Sequence, residues 1–360
     1  MVSISLCMIV RNEEKVLERC LDSVCRAVDE MIIVDTGSVD STKEIAGKYT
    51  DKVYDFVWVD DFSAARNFSF SKAAMDYCMW MDADDVMEES ACEKLIQWKQ
   101  NHDRTADVVM MKYSTAFDEN GKSVFYYYRE RLLKREKNFQ WKGRVHEAIE
   151  PSGKIEYLDA QIQHWSEKKV YEDRNLRIYE KMKQEGEHFT PRDFFYYARE
   201  LYYHKRYMEC VEKFEEFLQM PDGFVENRAE ACRIAAYASY FLKKEEQALG
   251  YLLRALRERV PSGELCCDLG KHFMDRKEWR QAEFWFRSAL WVAQNGKDGG
   301  FVSEEYYGYL PCIQLSVCYE RMGQKELALY YHRKAGRYKP YGAEYLRNQK
   351  YFSGMEHIIG

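Results

Sequence analysis

Two hydrophobic periods alternate through residues 1 to about 112, and that alternation leaves few folds open. Ser3–Val10, Met31–Val34 and Cys78–Met81 are largely apolar runs of strand length. Runs that short, and apolar on both faces, belong to strands covered on both sides. Between the first two, Val16, Leu17, Cys20, Leu21 and Val24 recur at helical spacing. Ser41-x-x-Glu44 has the form of a capping box opening a second helix. Lys52–Trp58 reads as a third strand, Ser63–Asp76 and Ser90–Gln100 as helices, and Asp107–Met111 as a further strand. The pattern predicts an α/β domain with a Rossmann-like, mostly parallel sheet and helices on both faces.

The strand at 78–81 stops on Asp82, Asp84 and Asp85. Carboxylates crowded at one strand tip repel one another unless a positive charge sits among them. A divalent cation carrying a diphosphate meets that need, because Mg²⁺ and Mn²⁺ take carboxylate and phosphate oxygens together. Strand tips of open α/β sheets are also where ligands bind. An acidic turn that starts a helix would use the same residues. Three further segments carry chemistry. Asp35, at the tip of the second strand, can accept hydrogen bonds from a base or ribose, and Gly37 behind it permits a tight turn. Asp61-Phe62-Ser63-Ala64-Ala65-Arg66-Asn67 puts Arg66 near a helix start, where it suits a phosphate or simply faces solvent. His146-Glu147 follows Gly143 and could supply a general base or a metal ligand.

Residues 113 to 165 change character. Asn120-Gly121 lies between aromatic, alternating segments and signals a hairpin. A basic stretch follows, with Arg129, Arg131, Lys134, Arg135, Lys137, Lys142 and Arg144, which reads as a solvated or phosphate-facing strand pair. A last short strand ends at His164. The division is expected at 168/169, between an α/β domain over 1–168 and a helical domain over 169–360. In the second part small residues recur at repeat spacing: Leu269, Gly270, Phe273, Ala282 and Phe286 match the tetratricopeptide pattern. Ala248, Leu252 and Pro261 form the preceding copy, and Leu315, Tyr319, Gly323, Ala328 and Pro340 a later one, displaced by the insertion Asn295–Gly300. Ala198, Tyr202, Phe214 and Pro221 form a weaker first copy. Three to four helical hairpins follow. They either offer a groove for peptides or merely pack.

Lys plus Arg number 54 against 60 Asp plus Glu, a net charge of −6, which argues against a nucleic-acid partner or a polybasic membrane anchor. No run approaches the ~18 apolar residues of a membrane span. Eleven Cys without a Cys-x-x-Cys pair, and no signal peptide at Met1, predict reduced thiols in a cytoplasm.

Residues 1 to about 165 resemble family 2 glycosyltransferases, nucleotide-sugar enzymes of GT-A fold. Arg11-Asn12-Glu13, Asp35-x-x-Ser38-x-Asp40-x-Thr42 and Asp82-x-Asp84 stand in family order. Asp61-Phe62-Ser63-x-x-Arg66-Asn67, Gly143-x-Val145-His146-Glu147 and the helical tail are similar to bacterial peptide and protein glycosyltransferases of the sublancin S-glycosyltransferase type. The resemblance implies a nucleotide-sugar site of Val10, Arg11, Glu13, Asp35, Arg66, Asp82 and Ala83, with Asp35 on the base and Asp82 on the ribose. It implies Asp84 and His164 as ligands of Mg²⁺ or Mn²⁺, and Glu147 or His146 as the base. It further implies an inverting transferase using a UDP-sugar, with a peptide or protein acceptor; a homodimer stays open. A surface-glycan or lipid-linked acceptor, or a non-catalytic adaptor, are the alternatives.

Overall fold

The computed structural model describes residues 1–117, 121, 123–165, 173–292 and 302–359. The chain divides into two compact units, Met1–His188 and Phe189–Gly360. The first unit runs β1 (Ile4–Val10), α1 (Leu17–Val24), β2 (Glu30–Asp35), α2 (Thr42–Gly47), β3 (Val53–Asp55), α3 (Phe62–Ser71), β4 (Tyr77–Trp80), β5 (Asp85–Met87), α4 (Glu89–Asn101), β6 (Val108–Phe117), β7 (Ser123–Lys134), β8 (Ile155–His164) and α5 (Arg174–Gln184). Its strands lie in the order β3-β2-β1-β4-β7-β6-β8-β5. β3, β2, β1 and β4 are parallel, as is the β6–β8 pair; β7 is antiparallel to both its neighbours in this order and β5 antiparallel to β8. The chain leaves β1 toward β2 on one side and returns to β4 on the other. The tips of β1 and β4 therefore flank a topological switch point, where α/β sheets open a crevice.

Both faces of the parallel half are covered, as the continuous apolar runs predict. Ile4, Leu6 and Met8 pack with Leu17, Cys20, Leu21 and Val24 of α1. The alternate residue Cys7 joins Ile32, Val34 and Cys78 on the opposite face, under Phe56, Phe68 and Phe70. Each fully buried Leu or Ile here is worth about 1.5–3 kcal/mol of transfer free energy. β3 is shorter than the expected Lys52–Trp58 because its partner β2 ends at Asp35, opposite Asp55. β6 is longer than expected because it is paired on both edges, with β7 and β8. The Ser41–Glu44 capping box does not form: the Ser41 side chain makes no capping bond, and Asp40 instead accepts from the Thr42 amide and hydroxyl. The β6–β7 hairpin is present, and Gly121 has φ +78°, but Asn120 lies outside the described residues.

The unit boundary falls at 188/189, where sequence places it at 168/169. The difference is α5, which belongs to the first unit. Lys181 is ion-paired with Asp60 at 2.8 Å, and the Arg174 guanidinium lies 4.7 Å from the Phe62 ring centroid.

The second unit is helical: α6 (Pro191–Tyr203), α7 (Tyr207–Gln219), α8 (Val225–Phe241), α9 (Glu245–Glu258), α10 (Gly263–Asp275), α11 (Trp279–Ala289), α12 (Tyr309–Arg321), α13 (Lys325–Tyr338) and α14 (Ala343–Ile359). The first eight pair into four hairpins. Ala198, Phe214, Ala248, Leu252, Ala282, Leu315 and Ala328, all picked out by the repeat spacing, are fully buried. Gly270 is small for a reason: a Cβ there would stand 2.7 Å from the Phe286 ring. The insertion Asn295–Gly300 lies outside the described residues. No described helix is long and apolar enough to cross a membrane.

Candidate active site

Three loops and two strand tips build the site. After β1 the chain turns through Asn12 at φ +54°. The Asn12 amide donates to Ser38 Oγ, its side-chain oxygen accepts from the Val39 amide, and the Glu13 amide donates to Thr42 Oγ1, at 2.8–2.9 Å. These bonds lace the β1 loop to the β2 loop. Asp35 Oδ1 accepts from the amides of Gly37 and Ser38, both at 2.9 Å, with Gly37 at φ +104°. Asp35 Oδ2 is buried and lacks a hydrogen-bond partner among the described residues. A buried carboxylate oxygen left so is costly unless a ligand donor meets it.

Arg66 is no surface arginine. Asp61 caps α3 by accepting from the Ala64 amide, which starts the helix and sets Arg66 one turn in, facing the sheet. Its Nη2 donates to Asp82 Oδ1 at 2.7 Å and its Nε to Glu147 Oε1 at 2.5 Å. The guanidinium lies against the rings of Trp80 and Trp141, 5.2 and 4.8 Å from their centroids, and the two rings meet each other edge to face at 5.1 Å. Burial would raise the Asp82 pKa, but the Arg66 charge outweighs it and holds the carboxyl below the usual range. Asn67 is structural. Its side chain exchanges two hydrogen bonds with the Trp141 backbone and so clips the 141–147 loop to α3. That loop closes as a hairpin by paired Lys142 and Ala148 backbone bonds. Inside it Gly143 has φ +98° and His146 φ +51°. A left-handed histidine is uncommon and tends to mark a functional turn.

The short strand β5 is absent from the sequence reading. Beyond Asp84 the chain enters it at Asp85, which is paired with His164, the last residue of β8. This register brings ligand atoms of Asp84, Asp85 and His164 within 4.8 Å of one another. His164 Nδ1 is 3.3 Å from Asp84 Oδ1 and 3.2 Å from Asp85 Oδ1. Asp85 is fully buried and both its oxygens are engaged: Oδ1 by Tyr113 OH at 2.8 Å and by His164, Oδ2 by Arg131 Nη1 at 3.2 Å and the Asp82 amide at 3.1 Å. Burial raises the Asp84 pKa and its neighbours Asp82 and Asp85 raise it further, against the pull of His164. Burial opposes charge on His164, yet the bond to Asp85 and the Asp84 charge raise its pKa overall. Two carboxylates and an imidazole fit a hard or borderline divalent cation, and the crowding that raises Asp84 is what such an ion would relieve. Asp84 and His164 would hold it, with Asp85 orienting them.

Arg131 corrects the reading of the basic stretch as solvated or phosphate-facing. It is fully buried, 3.7 Å from the centroid of Trp80 and 4.3 Å from that of Tyr113, and paired with Asp85. Arg129 and Arg131 both lie over the Trp80 ring, although the β6–β7 pairing skips Arg131 in a register shift between Glu130 and Leu132. No local pattern marked the burial of Arg131, and nothing local gave a role to Tyr113 or Trp80.

A cavity of about 430 Å³ opens here. Val10, Arg11, Glu13, Arg66, Asp82, Ala83, Asp84, His146 and Glu147 line it, with Phe62 of the Asp61–Asn67 motif and Arg129 of the basic stretch, and with Trp58, Trp80, Tyr113, Tyr127 and Arg174, to which sequence reasoning gave no role. Asp35 and His164 are not on the wall; they adjoin Thr36 and Asp84, which are.

Residues 5–152 match the family model Glycosyl transferase family 2. The first unit carries a family 2 glycosyltransferase domain. The chain is 36% identical over 152 residues to a TPR repeat-containing protein of Synechococcus elongatus, covering 42% of this chain and 36% of that one. It is 28% identical over 129 residues to the putative glycosyltransferase EpsH of Bacillus subtilis, covering 34% and 37%. It is 35% identical over 81 residues to the SPbeta prophage-derived glycosyltransferase SunS of Bacillus subtilis, covering 22% and 19%. The matched segments thus span well under half the length of each of these relatives.

Proposed function

We propose that the chain is a metal-dependent, inverting glycosyltransferase that moves a sugar from a UDP-sugar to a peptide or protein side chain. The observation that carries this reading is the meeting, at the switch point of a family 2 domain, of Asp84 and His164 with an Arg66 held between Asp82 and Glu147. In this reading the orphan Asp35 Oδ2 accepts the imide N–H of the base, and Asp82 takes the ribose. Val10, Arg11, Glu13 and Ala83 line the nucleotide. Asp84 and His164 hold Mn²⁺ or Mg²⁺, which when bound neutralises charge on the diphosphate. Arg66 turns from its carboxylates to the departing phosphate, since a planar guanidinium serves both. That move frees Glu147 to accept the acceptor's proton, with His146 beside it in the strained turn. The helical unit presents the acceptor. Eleven free cysteines, ten of them buried, favour a cytoplasmic setting.

Thermal shift with UDP, GDP and CDP, each with and without Mn²⁺, tests the donor assignment. UDP with Mn²⁺ should stabilise the protein, and Asp84→Ala should remove that shift while keeping the unliganded melting temperature. Glu147→Gln should keep UDP binding and lower turnover by about 10²–10⁴-fold, the span of general base catalysis. A fully active Glu147→Gln beside an inactive His146→Ala would move the base to His146.

A further inference from the structure

Arg174 is the first residue of α5 and lies beyond residue 152, where the family match ends. Its side chain nevertheless lines the same cavity as Arg66 and Asp84. The guanidinium rests over the Phe62 ring at 4.7 Å, and Phe62 is braced edge-on by Trp58 at 4.8 Å between centroids. Among the described residues its buried Nε–H meets no acceptor and Arg174 makes no ion pair. The cavity's other arginines differ. Arg66 is held by Asp82 and Glu147, Arg129 chelates Glu130, and Arg11 is exposed to water. A guanidinium with one face on an aromatic ring presents its N–H edge in a fixed fork, which suits a phosphate. Besides Glu13, the carboxylates that line the cavity are Asp82 and Glu147, partnered through Arg66, and Asp84, partnered through His164.

We propose that Arg174 is a ligand-contacting residue that binds the phosphate oxygens of the nucleotide diphosphate. The donor site would then be completed by a helix outside the family 2 domain. This rests on the nucleotide-sugar reading above and adds to it a contact the family match does not contain.

The test compares the full-length protein and its Arg174→Ala and Arg174→Lys variants with two probes: UDP in Mn²⁺ by calorimetry, and uridine, which lacks phosphate, by saturation-transfer NMR. The expected result is UDP binding weakened at least ten-fold in Arg174→Ala, partly restored in Arg174→Lys, with uridine binding unchanged in both. Equal weakening of UDP and uridine would overturn the proposal, since it would mark a structural prop. So would unchanged UDP binding in Arg174→Ala. A wild-type protein that binds none of UDP, GDP and CDP would instead bring down the nucleotide-sugar reading, and this contact with it.

Discussion

Arg131 and Asp85 show how much of the site rests on side chains that touch no ligand. Both are fully buried, and each is the other's charge partner. A buried pair gains little over an apolar pair of the same shape, but removing one member strands the other. Arg131→Met should therefore cost about 3–5 kcal/mol in urea unfolding. Adding Asp85→Asn to it should recover part of that loss, because the stranded charge is gone. Glu30 offers a pH handle away from the cavity. Burial would raise its pKa, but hydrogen bonds from Lys52, Ser5 and the Ala74 amide outweigh it and lower it. A depressed folded pKa contributes stability that is present above the unfolded value, roughly 4.3, and is lost as the pH falls through the folded one. Unfolding free energies measured from pH 7 down to acid should fall less steeply in Glu30→Gln than in wild type. An unchanged slope would mean Glu30 titrates alike in both states. At this scale the sequence was legible for residue types and mute on their surroundings. The spacing of Arg66 could not separate a surface arginine from a buried one, because what buries it are Trp80 and Trp141, distant in the chain.

At the scale of elements, the helical repeat is written in the backbone more regularly than in the side chains. Lys205, Lys243, Lys277 and Gly323 stand at the turns of the four hairpins, at φ +61°, +59°, +63° and +76°. Each donates its amide to the carbonyl three residues back, closing the helix before it. A left-handed residue after a helix is a place for glycine, and a Cβ there costs about 1–2 kcal/mol. Only the last hairpin uses Gly. Lys277→Gly should stabilise the protein by roughly 0.5–1 kcal/mol after glycine's added unfolded-state entropy, and Gly323→Ala should destabilise it by about 1 kcal/mol. Denaturant midpoints would check both signs. The strands were legible where apolar runs were long. β5 was not, because three residues after an acidic turn have no period, and only pairing with β8 makes them a strand.

For the whole molecule, alternating periods and repeat spacing were enough to separate an α/β part from a helical part. They put the join before α5, because α5 has a helical pattern like those that follow it, whereas the compact units divide after it. What assigns α5 to the first unit is its contacts with Asp60 and Phe62, more than 100 residues earlier. The order of elements, the strand tip with its carboxylates, the loop with His146 and Glu147, and the repeat can all be read along the chain. Those features depend on neighbours within a turn or two of chain, which a linear pattern records. It took the folded chain to make Arg66 bridge Asp82 to Glu147, to set Asp85 facing His164 across a strand pair, and to bury Arg131 beneath them. Those contacts join residues far apart in the chain, 81 positions for Arg66 and Glu147 and 46 for Arg131 and Asp85, and they are set by strand register and packing. A one-residue slip in register would turn the same side chains to the opposite face.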